Sequence, residues 1–184
     1  MSKVTLANVR IAFPELFTAK APDSGEGKPK FGAAFLFPPD HPANKLIDKA
    51  VKEVAKEKWG AKADATLAAL MKADKICIHD GDNKADYAGY EGNMFVNASN
   101  TARPTVINRD KSPLSEKDGV IYSGCYVNAI VEVWCQDNKF GKRVNATLSG
   151  VQFYKDGDAF SGGRAASADE FEDLGEGSGA DDDI

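Results

Sequence analysis

Cysteine and histidine are scarce in this chain, with three Cys and two His among 184 residues. Cys77, Cys125 and Cys135 are odd in number and form no CxxC pair, which argues against a disulfide framework and for reduced, packed thiols in a cytosolic protein. Cys77 and His79 stand two apart, but no second pair has ligand spacing and His41 precedes a proline, so zinc is not indicated. No apolar run approaches 18 residues, which excludes a spanning helix. The start, MSKVTL, has no charged-then-apolar leader, so export by that route is not expected. The phosphate-loop, dinucleotide and nucleophile-elbow signatures GxxxxGK[ST], GxGxxG and GxSxG are missing too. Asp80, Asp82, Asp86 and Glu91 fall at calcium-loop spacing, yet Lys84 occupies one ligand position and Ala85 replaces the required glycine. A magnesium nuclease would need a partner set that the sequence does not supply. No catalytic residue, metal or cofactor is therefore expected.

Acidic residues outnumber basic ones by 28 to 23, but unevenly. Residues 165–184 carry eight acids (Asp169, Glu170, Glu172, Asp173, Glu176, Asp181, Asp182, Asp183) and no Lys or Arg, leaving 20 acids against 23 bases, a net of +3, in residues 1–164. A mildly basic body with a strongly acidic appendage is two objects with different tasks. The expected organisation is one domain over 1–164 and a disordered acidic tail over 165–184.

The strongest local signal is GCYVNAIVEVWCQDNKFGKRVNATLSGVQFY, residues 124–154. Cys125, Val127, Ala129, Val131, Val133 and Cys135 alternate with Tyr126, Asn128, Ile130, Glu132 and Trp134, the period of a strand with one face on a core. Val144, Ala146 and Leu148 continue the alternation after a turn, and the phase slips at Gly150 to Val151 and Phe153, predicting a bulge.

Earlier in the chain, Lys3 to Phe13 predicts a strand with a phase switch near Ala7-Asn8, stopped by Pro14. Residues 18–29 read as a Gly/Pro-rich loop and Lys30 to Phe37 as a second strand. A helix capped by Asp40 runs to about Trp59 and stops at Gly60; a second follows over about 63–72. The lysines of the first helix are interleaved with acids, which is the pattern of a solvated face. Short strands follow at 75–79, 93–100 and 104–108, in an antiparallel succession that ends in the main hairpin. The fold class is all-β to β+α: an antiparallel five-stranded barrel with a helical insertion at about 40–72, against a β-sandwich with a helical flap as competitor.

Aromatics on polar strand faces with Lys and Arg in flanking loops suit single-stranded nucleic acid. Bases stack on flat rings whatever their sequence, and phosphates need cations beside them. The candidate stacking residues are Trp134, Phe95, Tyr126, Tyr90 and Tyr87. The candidate phosphate contacts are Lys28, Arg103, Arg109, Lys139, Lys142 and Arg143. Each ring could equally be a packing residue, and for Phe31, Phe35, Phe37 and Phe153 packing is the preferred reading.

The order of elements, the segment GKPKFGAAFLFPPDHP leading into a helix, the hairpin with GKRVNATLSGVQF and the terminal ADDDI resemble the single-stranded DNA-binding replication proteins of tailed bacteriophages. The resemblance spans essentially the whole chain. It implies an OB-fold-like barrel with an acidic C-terminal tail, in a non-enzymatic protein of DNA replication, recombination and repair in the cytoplasm of the infected bacterial host. It implies that Trp134 occupies the family's stacking position and that Lys3 and Lys30 match basic DNA-contacting positions. The tail residues Asp169, Glu170, Glu172, Asp173, Asp181, Asp182, Asp183 and Ile184 would then compete with DNA and recruit replication proteins such as a DNA polymerase or helicase-primase. In such proteins the tail commonly ends in an aromatic residue; this chain ends in Ile184. A homodimer, an RNA-binding or chaperone role, and a protein-interaction module without nucleic acid remain open alternatives.

Overall fold

The computed structural model describes residues 1–22, 25, 27–160 and 171–175. Its strands are β1 (Ser2–Lys20), β2 (Lys30–Phe37), β3 (Ile78–Asp80), β4 (Met94–Asn100), β5 (Thr105–Ile107), β6 (Tyr126–Asn138) and β7 (Gly141–Lys155); its α-helices are α1 (Ala43–Trp59) and α2 (Ala63–Lys72). Hydrogen bonding runs β3-β4-β2-β1-β6-β7-β5, and β4 also meets β7. That last contact closes β1, β2, β4, β7 and β6 into the expected five-stranded, OB-like barrel, so the sandwich alternative is excluded. Closure rests on a single parallel pair, Ser99 with Thr147, reinforced by the Asn100 amide donating to the Leu148 carbonyl at 2.9 Å.

The sequence sets the curvature through extra residues. Between β6 and β7 the register steps from Ile130–Gly150 to Val131–Leu148, which leaves Ser149 unpaired and confirms the slip at Gly150. In β1 the register steps between Leu6 and Val9, where Asn8 takes a positive φ of 54°. Each bulge bends its strand and tightens the barrel. The inward row Val127, Ala129, Val131 and Val133 then meets Leu6, Val9, Ile11, Leu148 and Val151 in one apolar core. α1 adds Ile47, Ala50, Val51 and Val54 to that core against β1 and β6. Its last turn is tied to the hairpin by the Trp59 indole, which donates to an Asp137 carboxylate oxygen at 2.9 Å.

Three local expectations differ. Pro14 does not end β1; a second bulge between Ala12 and Glu15 lifts Phe13 and Pro14 out of the β2 ladder, and the strand resumes to Lys20. Asp40 does not cap α1, whose N-cap is Pro42. The His41 Nδ1 accepts from the Ala43 N–H at 2.9 Å, and the Asn44 amide donates to the Pro38 and Pro39 carbonyls. β5 lies outside the barrel and runs parallel to β7, so the later strands are not a simple antiparallel succession.

A second, smaller cluster covers the outside of β1, β2 and β4. Ala12, Ala34 and Leu36 pack there against Tyr90, Phe95 and the partly buried Phe160. Phe160 reaches it through a strap after β7: the Phe160 N–H donates to the Ser123 carbonyl, and Arg10 donates to the Gly124 and Asp158 carbonyls while lying 4.2 Å over the Phe160 ring.

Candidate nucleic-acid interface

Two concave basins of about 530 Å³ each lie side by side and share Lys30, Asn97, Ala98 and Ser99. They are two halves of one groove. The first half lies on the closing seam of the barrel. β4 supplies Asn97 to Asn100, β6 supplies Trp134 and Gln136, β7 supplies Arg143 to Thr147, and the approach to β3 supplies Lys75 and Cys77. The second half is formed by the Phe13 bulge, Lys20, the start of β2, and Lys84 and Tyr87 of the loop before β4.

The groove is cationic because its bases outnumber the acids along its lining. Lys30, Lys75 and Arg143 line the first half, and Lys20, Lys30 and Lys84 the second; among the described residues Glu15 is the lone acid of both linings. Of the described ion pairs, Lys52 with Asp48 lies on α1 away from the groove, and His79 of the first half pairs with Asp74; neither involves a groove Lys or Arg. Bare cations on concave low-dielectric walls concentrate field and attract a polyanion.

Trp134 is half-buried on the outward face of β6, as the alternation requires, and its indole donates to Thr147 Oγ1 at 2.9 Å. This bond crosses the hairpin and fixes the ring at the groove wall. Asn145 donates to Gln136 Oε1 at 3.0 Å beside it. The surroundings of the ring are therefore polar and organised, with room for a flat apolar group.

The aromatic residues divide differently from expectation. Tyr87 is exposed and faces the groove. Phe95 and Tyr90 border it but are buried, 2% and 3% exposed, so neither offers a free ring face: Phe95 sits between Tyr90 (4.9 Å) and the stacked imidazole of His79 (5.0 Å). The alternation put Phe95 on a polar phase because the covering loop, Gly81 to Asn93, comes from sequence with no apolar period. Burial pushes the Tyr90 hydroxyl up to about 12. Tyr126 lies away from the groove, its ring taken by Lys155 at 4.6 Å and Arg10 at 5.5 Å.

The cations divide likewise. Lys30 and Arg143 line the groove. Lys3 lies on β1 opposite Glu132, Arg103 over the Phe17 ring, Arg109 over the Tyr154 ring, and Lys139 over Phe140 at the hairpin tip. Lys142 pairs in register with Asp137, and Lys28 is exposed in the loop before β2. None of these six lines either basin. Sequence reasoning missed Lys75, Lys20, Lys84 and Phe13. The first three carry no local pattern, but the Phe-Pro pair at the expected end of the first strand was a usable sign. Of the tail, Glu172 and Asp173 are exposed; Asp169, Glu170, Asp181, Asp182, Asp183 and Ile184 lie outside the described residues.

Among the described residues no three His, Cys, Asp or Glu side chains are grouped to hold a metal. Asp80 and Asp82 are spent on their own loop, accepting from the Asp82 and Gly92 N–H groups. Burial pushes the Cys77 thiol, on the groove floor, up to about 12 and that of Cys125 to about 11, so both are poor nucleophiles near neutral pH.

Residues 2–184 match the family described as Enterobacter phage Enc34, ssDNA-binding protein. A putative protein p50 of Acyrthosiphon pisum secondary endosymbiont phage 1 is 48% identical over 177 residues, covering 94% of each chain. The single-stranded DNA-binding protein of bacteriophage Enc34, solved in complex with ssDNA, superposes with a TM-score of 0.72 at 29% identity, over 86% of this chain and 89% of that one. Its C-terminal truncation gives a TM-score of 0.70 at 30% identity, over 86% and 88% of the two chains. The bacteriophage T7 protein gp2.5 shares the fold, with a TM-score of 0.56 at 14% identity over 94% and 98%. This chain belongs to the Enc34-type family of phage single-stranded DNA-binding proteins.

Proposed function

We propose that this protein coats single-stranded DNA in the cytoplasm of the infected host, holding it in the groove across the barrel seam. The observation that carries the reading is the placing of Trp134 beside Lys30, Lys75 and Arg143, cations without ion-pair partners among the described residues, in one concave site. A base stacked on the indole leaves its flanking phosphates within the cationic walls. Affinity then comes from rings and charges that every nucleotide satisfies, so binding is largely indifferent to sequence. Such coating serves replication, recombination and repair.

The acidic tail acts as counter-charge. An unstructured chain of twenty residues would span about 25 Å, against a radius of gyration near 15 Å for a body of this size. The tail therefore reaches the groove of its own or a neighbouring molecule, covers it when DNA is absent and frees itself for replication proteins when DNA binds. Deleting residues 165–184 raises DNA affinity at low salt and weakens partner recruitment; an unchanged affinity removes the competition. The primary test is a tryptophan-fluorescence titration with oligo-dT at two salt concentrations, repeated with RNA of equal length. Salt-sensitive quenching by DNA is expected. No quenching by either polymer would leave the groove a protein-interaction surface, and a clear RNA preference would make this an RNA-binding barrel.

A further inference from the structure

We infer that Phe13 and Tyr87 form a second base-stacking corner, separate from Trp134, so that a bound strand is gripped at two points with the Lys30 side chain between them. This rests on the single-strand reading above and adds a site to it.

The backbone supplies the first reason. Phe13 has φ = 50°, a left-handed conformation that a bulky residue adopts only under constraint. It sits in the β1 bulge, where the extra residue re-aims a side chain. Its neighbours Ile11 and Ala12 are buried, whereas Phe13 is 53% exposed. The bulge has turned a large apolar ring out of the sheet. A packing role alone would place that ring in the core, and strain of this kind gathers at ligand sites.

The surroundings supply the second. The Phe13 and Tyr87 rings stand 5.2 Å apart at 83°, a platform and a perpendicular wall lining the same basin. Lys20, Lys30 and Lys84 line it as well, and the Lys84 ammonium is 5.8 Å from the Tyr87 ring. A flat apolar group with an anion on either side is the ligand that fits, which is a nucleotide of an unpaired strand. Lys30, Asn97 and Ser99 belong to both halves, so a strand leaving Trp134 passes directly into this corner.

The strain makes a decisive test available. Asn and Gly tolerate a left-handed φ better than Phe, so Phe13→Asn and Phe13→Gly relieve the backbone while removing the ring. The expected result is a melting temperature equal to or above the parent's with a loss of affinity for a long oligo-dT of roughly 5- to 150-fold, the range of one stacked base. A short oligo-dT that fills only the Trp134 half should bind all variants alike, Tyr87→Ala should reproduce the length-dependent loss, and Phe13→Trp should restore binding. Equal affinity of Phe13→Asn and parent for the long oligomer overturns the second corner, as does an equal loss at both lengths with a lowered melting temperature. Failure of the parent to bind any oligomer would instead overturn the single-strand reading itself.

Discussion

Lys30 offers the most quantitative test of the groove. It is exposed, has no ion-pair partner among the described residues, and is common to both halves. If Lys20, Lys30, Lys75, Lys84 and Arg143 each neutralise one phosphate, the plot of log affinity against log salt should have a slope of roughly −3.5, about −0.7 for each contact on a single strand. Raising salt from about 50 to 200 mM would then weaken binding by about 130-fold. Lys30→Ala should flatten the slope to roughly −2.8, so that the same salt step costs about 50-fold. The variant's deficit thus narrows as salt rises, which loss of folding cannot imitate. Fluorescence titrations with oligo-dT over four salt concentrations measure this directly. Lys52→Ala is the control, because Lys52 is paired with Asp48 on α1 and lies outside the groove. A Lys30→Ala slope equal to the parent's would show that no phosphate sits at the junction and would refute the path across it.

Other outcomes follow from named contacts. Trp134→Ala should weaken oligo-dT binding by roughly 1–3 kcal/mol with the circular-dichroism spectrum unchanged, since the ring is half-buried and β6 is held from both sides; unfolding of the variant would make it a core residue. Gly124→Ala should destabilise the barrel, because at φ = 110° its Cβ would stand 2.2 Å from the Asp158 carbonyl oxygen. A melting temperature equal to the parent's would show that the strap after β7 is loose. Burial raises Cys77 from 9.0 to about 12, so the unfolded chain releases that proton first and stability should fall as pH rises above about 9; Cys77→Ala should lessen that fall in urea titrations, and an identical pH profile would count against it.

The barrel was legible because its strands bury one face and alternate accordingly. The Leu6–Val9 and Gly150 slips could be read as bulges since each moved an apolar row to the other phase. The β1 extension past Pro14 could not be read, because a bulge absorbs a proline that local rules treat as a stop. The site was half legible. Trp134, Lys30 and Arg143 flank the strong hairpin or start a clear strand, where position can be inferred. Phe95 and Tyr90 misled together: a loop without apolar period folds over the sheet, burying a ring that the strand pattern alone leaves outside and its own Tyr90 against it. Lys75, Lys20 and Lys84 reach the groove through tertiary placement of segments whose sequence says only that they are exposed.

The barrel meets itself through one strand pair, Ser99 with Thr147, and the first half of the groove lies directly over that join. A polynucleotide laid there would touch both lips at once and act as a suture where the barrel is joined by a single strand pair. Occupancy would then reinforce a closure that already exists, and amide protons on either lip, near Asn100 and Leu148, should exchange more slowly when the strand is in place. The protein would be least cohesive while searching and most cohesive once loaded, a property set by the place where the cylinder was left almost unsewn.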